Sequence, residues 1–169
     1  MGTFRMKNTT RVLKLVGALA VVLALGACAR NGAVDANNPA LANANAATPG
    51  SQQDFVVNVG DRVFFESDSS ELSQQSVNTL EKQAQWLRTY PQYSFLIEGH
   101  ADERGTREYN IALGARRSQA ARDYLASRGI DPNRMRTISY GKERPVAVCD
   151  DISCWSQNRR AVTVLNASS

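Results

Sequence analysis

Hydrophobic positions fall into three regimes along the chain. Leu15 to Ala27 is an unbroken run of small and apolar residues behind Arg11 and Lys14. At ~1.5 Å per residue such a helix is ~20 Å long, short of the ~30 Å hydrocarbon core. With its positive flank it predicts a cleavable export signal over residues 1–27 rather than a membrane span. From Ala29 to about residue 53 the chain turns to Asn, Ala, Pro and Gly, almost without large apolar groups. Such a stretch cannot bury enough surface to offset the entropy of ordering, so residues 28–53 are expected to form a flexible linker.

Beyond it, apolar positions switch between a period of two and a helical period. Val57, Val59, Val63 and Phe65 have strand spacing, interrupted by Gly60-Asp61. Ser73 reads as an N-cap, Leu72 and Val77 have the spacing of a hydrophobic staple, and Val77, Leu80, Ala84 and Leu87 form one stripe. Tyr90-Pro91 ends that helix. Tyr93 to Glu98 predicts a strand, Arg107 to Arg128 a helix closed by Gly129, and Arg136–Tyr140 and Ala161–Leu165 two more strands. Residues 54–169 are therefore expected to be an α+β domain, a two-layer α/β sandwich with a strand-helix-strand-helix-strand core.

Charge narrows the function. The formal net charge is +4, from 20 Lys and Arg against 16 Asp and Glu. Arg5, Lys7, Arg11 and Lys14 all precede residue 28 and no acidic residue does, so the remainder is neutral. A neutral exported domain lacks the concentrated positive surface that nucleic acid requires, and the Arg159-Arg160 pair reads as salt-bridging instead.

Candidate chemistry gathers in Gly99-His100-Ala101-Asp102-Glu103-Arg104-Gly105-Thr106, between a strand and a helix start. Asn110, Leu113, Arg117 and Ala121 recur on one helical face, which carries polar groups where a core stripe would be apolar. Arg117 offers a planar fork for a carboxylate, and Asp102 an acceptor for an ammonium. Together they can grip a zwitterion; equally, they can form a simple Asp102–Arg117 salt bridge that orders the loop. His100, the sole histidine, reads as a hydrogen-bonding neighbour of the loop rather than a metal ligand. Trp86 and Trp155 read as packing groups. There is no Gly-x-Ser-x-Gly elbow and no His-Glu-x-x-His helix, so an enzyme is not expected.

Two resemblances sharpen this. Leu25-Gly26-Ala27-Cys28 resembles the lipobox of bacterial lipoproteins. That implies cleavage before Cys28, a diacylglycerol thioether on its sulfur and an acyl chain on its new amino group. Ala29 in place of Asp resembles the outer-membrane destination. With Cys28 lipidated, Cys149 and Cys154 remain as an even pair in an oxidising periplasm, candidates for a disulfide. The weaker alternative is zinc, for which two thiols and a distant His fall short.

The Gly99–Thr106 segment, Tyr109-Asn110-Ile111-Ala112-Leu113-Gly114, Arg116-Arg117, Ile138–Pro145 and Asn158–Val162 together resemble the peptidoglycan-binding signature of OmpA-like domains. With the lipobox, the chain is similar to the OmpA-like lipoproteins of the Tol–Pal envelope system. The resemblance implies non-covalent binding of the stem peptide at diaminopimelate. Asp102 would take the ammonium, Arg117 would hold the carboxylate bidentately, and Asn110 and Leu113 would position them. Phe64–Ser69 matches a family strand end in which Asp68 keeps a second acidic position, while Ser67 replaces an aromatic. Ser118 likewise replaces a common Ala. The implied partners are peptidoglycan, outer-membrane lipid through acylated Cys28, TolB and TolA, with no cofactor and no nucleic acid. An envelope peptidoglycan hydrolase, or a structural lipoprotein without wall affinity, are the alternatives.

Overall fold

A computed structural model describes residues 47–167. The expected export signal, Cys28 and most of the linker lie outside the described residues.

Helical structure is present just before residue 54, the expected domain start. Ser51 accepts a hydrogen bond from the Asp54 amide and opens a helical turn, Gln52–Asp54, that runs into a wider turn at Phe55–Val59. Residues 55–59 were expected as strand, but the structure has them helical. A strand would point Val57 and Val59 the same way as Phe55. Instead only Phe55 is fully buried, while Val56 and Val57 stay exposed. Asp54 fixes the turn by accepting from the Trp86 indole at 2.8 Å, and Tyr93 donates its hydroxyl to the Gly50 carbonyl at 2.8 Å. Gly50 to Gln53, expected in the linker, are thus tied to the domain.

Strand β1 is short, Arg62–Phe64. Helix α1, Gln74–Thr89, starts where Ser73 accepts from the Ser76 amide and stops at Tyr90, which Pro91 forces out of the helical region. Leu80, Ala84, Leu87 and Trp86 form its buried face. Strand β2, Tyr93–His100, runs two residues beyond the expected Glu98 and so carries the chain into the Gly99–Thr106 loop. Helix α2, Arg107–Ser127, is capped by Thr106 and closed by Gly129 at φ +85°. Strand β3, Met135–Gly141, follows. A short helix α3, Ile152–Asn158, which no periodicity announced, leads into β4, Arg160–Ala167. Cys149 and Cys154 are disulfide-bonded at a Cα separation of 5.7 Å.

The strands form one sheet in the order β1-β4-β2-β3. β2 and β3 are parallel, as the α2 crossover between them requires, and β4 runs antiparallel to β1 and β2. Val63, Phe95, Ile97, Met135, Ala161 and Leu165 face α1 and α2 and make the core with Phe55 and Leu125. The two-layer α+β expectation thus holds. The opposite face of the sheet, with Phe64, Ile138 and Val164, stays partly exposed.

One contact sets the height of α2 above the sheet. A Cβ added at Gly99 would lie 1.8 Å from the Gly114 carbonyl oxygen, so strand and helix backbones touch there. Only glycine permits that approach. It brings the first half of α2 down onto the end of β2, beside the loop that follows.

Candidate functional site

Two loops and one helix end enclose an open cleft of about 240 Å³, lined by Ser67, Asp68, Asp102, Arg104, Gly105, Tyr109, Asn110 and Leu113. The first wall follows β1. Among the described non-glycine residues Asp68 alone has positive φ, 56°, a conformation Asp tolerates better than most and one often kept at functional positions. The second wall follows β2. Its loop is pinned by the Ala101 amide on the Gly141 carbonyl at 2.8 Å, and by Lys142, whose Nζ donates to the carbonyls of Glu103 and Gly105. Asn110, buried at the start of α2, donates to the carbonyls of Arg104 and Thr106 at 2.7 and 3.0 Å. Leu113, one turn further, supplies an apolar wall.

The structure brings Asp68, Asp102, Asn110 and Leu113 to one cleft. It does not bring Arg117 there. The Arg117 guanidinium is fully buried beneath the cleft. Its Nε donates to the Ser69 carbonyl at 2.8 Å, Nη1 to His100 at 2.9 Å and Nη2 to Glu66 at 3.0 Å. The expected carboxylate fork is therefore corrected: the guanidinium is buried and three of its five N–H groups go to backbone carbonyls, because the Glu66–Ser69 loop folds over it. The alternative Asp102–Arg117 salt bridge is likewise not among the ion pairs of the described residues; Asp102 pairs with Arg104 and Arg159. Burial and the Arg159 charge lower the Arg117 pKa to about 10, so it remains charged at neutral pH.

Asp102 is 7 % exposed. Burial pushes its carboxyl up, but the hydrogen bonds and charge of Arg104, with Arg159 behind, outweigh this and hold it below the ordinary value. Arg104 reaches it with Nη2 at 2.7 Å and Nε at 3.1 Å. Arg159 Nη1 approaches at 3.4 Å while its Nε donates to the Phe65 carbonyl. The Tyr109 hydroxyl donates to Asp68.

His100 departs from expectation. Neither ring nitrogen has a hydrogen-bond partner among the described residues, Glu98 being 3.6 Å away and the Tyr140 ring 5.6 Å between centroids. Burial, then the charges of Arg160, Arg144 and Arg62, push its pKa down to about 4. Among the described residues no cluster of His, Cys, Asp and Glu is arranged to hold a metal ion.

Residue-level reasoning missed Arg104, Tyr109 and Trp155. Tyr109 lies one turn before Leu113 on α2, a spacing that could have marked it. Trp155 does not line the cleft but reaches Arg104 and Glu103 beside it through the tertiary placement of α3. Its ring lies 4.3 Å from the Arg104 guanidinium carbon, and its indole donates to Glu103 at 3.0 Å.

A four-stranded mixed sheet under two helices, with an acidic cleft at the β2–α2 junction, defines an OmpA-like domain. Residues 64–160 match the OmpA family, and the chain belongs to it. It also belongs with the peptidoglycan-associated lipoproteins. It is 67% identical over 153 residues to the peptidoglycan-associated lipoprotein of Rhizobium meliloti (strain 1021), covering 89% of this chain and 86% of that one. The crystal structure of the peptidoglycan-associated lipoprotein from Burkholderia pseudomallei superposes with a TM-score of 0.61 at 43% identity, covering 63% of this chain and 90% of that chain. The C-terminal domain of Helicobacter pylori MotB shares the fold at 22% identity and a TM-score of 0.60, covering 64% of this chain and 86% of that chain.

Proposed function

We propose that this chain binds peptidoglycan non-covalently through the Asp68–Asp102 cleft and, through lipid on Cys28, tethers the outer membrane to the wall. The observation that carries the reading is the placement of two carboxylates, Asp102 and Asp68, in one open cleft beside the apolar side of Leu113. A diaminopimelate side chain presents an ammonium and a carboxylate on a short aliphatic stem. Its ammonium suits the two acids, its stem suits Leu113, and a cleft of about 240 Å³ admits such a headgroup rather than a whole glycan strand. The carboxylate end falls in the field of the buried Arg117 and Arg159, which act as charge behind the wall rather than as direct ligands. The activity is binding and not bond cleavage, as in the family to which the chain belongs.

Each site is shallow, so modest affinity is multiplied by the many copies that a lipid anchor holds near one wall. Membership of the Tol–Pal system adds TolB and TolA as protein partners of the same tether. The test is a peptidoglycan pulldown with full-length chain in detergent. Wild type should sediment with sacculi, and Asp102→Ala, shown to be folded, should not. Retention of the variant equal to wild type would refute the site, and release of soluble muropeptides would replace binding with hydrolysis.

A further inference from the structure

The acceptor on which the proposed function rests is already occupied by the protein itself. Arg104 lays its guanidinium against both oxygens of Asp102, donates Nη2 to the Ser67 hydroxyl at 2.7 Å across the cleft, and lies over the Trp155 ring. It therefore bridges the two walls at the point where a ligand cation would enter. Its backbone is fixed, since Asn110 holds the Arg104 carbonyl and Lys142 those of the residues on either side. Its side chain is not: 44 % of it is exposed, and its polar contacts are made at the tip. A long side chain on a rigid base, half-exposed itself although the carboxylate it holds is buried, can swing without moving the loop backbone.

Resting on the reading of this cleft as the wall-binding site, we propose that Arg104 is a specificity-determining occupant of its cation subsite, displaced from Asp102 only by a ligand that brings its own ammonium. The displaced guanidinium swings out of the cleft toward solvent, leaving the Trp155 ring. A neutral or acylated side chain offers Asp102 nothing in exchange for Arg104 and leaves the cleft closed. The occupant lowers apparent affinity by the fraction of molecules in which it is seated, and in return rejects ligands without the charge.

The test uses the full-length chain in detergent micelles and a soluble stem peptide ending in diaminopimelate, beside the same peptide with the side-chain ammonium acetylated. Calorimetry should show Arg104→Ala binding the free peptide about three- to tenfold more tightly than wild type. It should also show Arg104→Ala, but not wild type, binding the acetylated peptide measurably. Arg104→Lys, which keeps a cation beside Asp102, should stay near wild type. In the unmodified chain the Trp155 indole N–H resonance should move on addition of the free peptide, a readout that needs no variant. Wild-type binding with Arg104→Ala equal or weaker, or with an unmoved Trp155 resonance, would overturn the proposal and leave wall binding intact. Wild type failing to bind the peptide at all would overturn both.

Discussion

Arg117 donates Nη1 to the carbonyl of His100 at 2.9 Å, seventeen positions earlier in the chain. The same guanidinium holds Glu66 and Ser69 on the other side. One side chain of α2 thus clasps both loops, the one that carries Asp68 and the one that carries Asp102. The distance between the two carboxylates is set from below by a cation that the cleft does not display. Arg suits this work because its planar fork reaches separate acceptors at once and stays charged when buried.

Arg117→Ala should therefore act first on stability. Three carbonyls, one buried and two half-buried, would lose their donor together, a cost of about 3–5 kcal/mol, read as a lowered urea midpoint. Arg117→Lys keeps the charge, but a single ammonium cannot span three acceptors, and about 1–3 kcal/mol should be lost. Binding measured without this control would mistake a parted cleft for a missing ligand contact. Arg117→Lys binding the wall as wild type does, at unchanged stability, would contradict the clasp.

Gly99 and Gly114 give a second stability test. A methyl on Gly99 meets the Gly114 carbonyl oxygen at 1.8 Å, backbone against backbone. On Gly114 it meets the Ser139 hydroxyl at 2.4 Å and the Gly99 carbonyl oxygen at 2.9 Å. Gly99→Ala should cost about 3 kcal/mol and Gly114→Ala about 2 kcal/mol, because the Ser139 side chain moves more readily than the backbone of α2. Thermal unfolding of the two variants orders them, and the reverse order would contradict the contact.

The elements that the sequence announces share a cause. Ser73, Thr106, Pro91 and Gly129 each act on the backbone within one turn, so α1 and α2 begin and end where local chemistry says. Phe55–Val59 fails because its alternation is genuine but its partners are distant: Trp86 and Tyr93, far along the chain, hold Asp54 and Gly50 and bend the segment into a turn. Helix α3 has no stripe to reveal it and depends on Asp151, which caps it through the Ser153 amide, and on the disulfide. At the site, motif and helical face select Asp102, Asn110, Leu113 and Arg117 together. Whether a side chain rises into the cleft or passes beneath it depends on where the Glu66–Ser69 loop lies, which no spacing along α2 encodes. Arg104, two residues from Asp102, is the cation at the cleft.

His100 should make stability depend on pH in a defined window. Its folded pKa of about 4 lies below the ordinary 6.5. Between those values the unfolded chain takes a proton that the folded chain refuses, so stability is full above pH ~6.5 and falls as pH drops toward ~4. The loss amounts to about 2 kcal/mol after allowance for screening by solvent around the neighbouring arginines. Because the ring nitrogens have no partner among the described residues, His100→Phe should fold at least as well at pH 7 and flatten the dependence. Urea midpoints at pH 7, 5.5 and 4.5 for both proteins decide it; an equal slope in the variant would assign the effect to carboxylates.

Asp68→Asn separates binding from folding more cleanly than any change at Asp102. Asp68 is exposed and sits at φ 56°, where Asn is at least as comfortable as Asp. The amide still accepts the Tyr109 hydroxyl, so neither the turn nor the wall of the cleft should move. What disappears is one of the two negative charges offered to a ligand ammonium. The variant should melt within about 2 °C of wild type and bind a diaminopimelate peptide about two- to fivefold more weakly, as expected for one exposed charge. The difference should shrink in 0.5 M salt, where screening already removes most of what the carboxylate contributes. Equal affinity at low salt would mean that Asp102 acts alone and that Asp68 only shapes the turn.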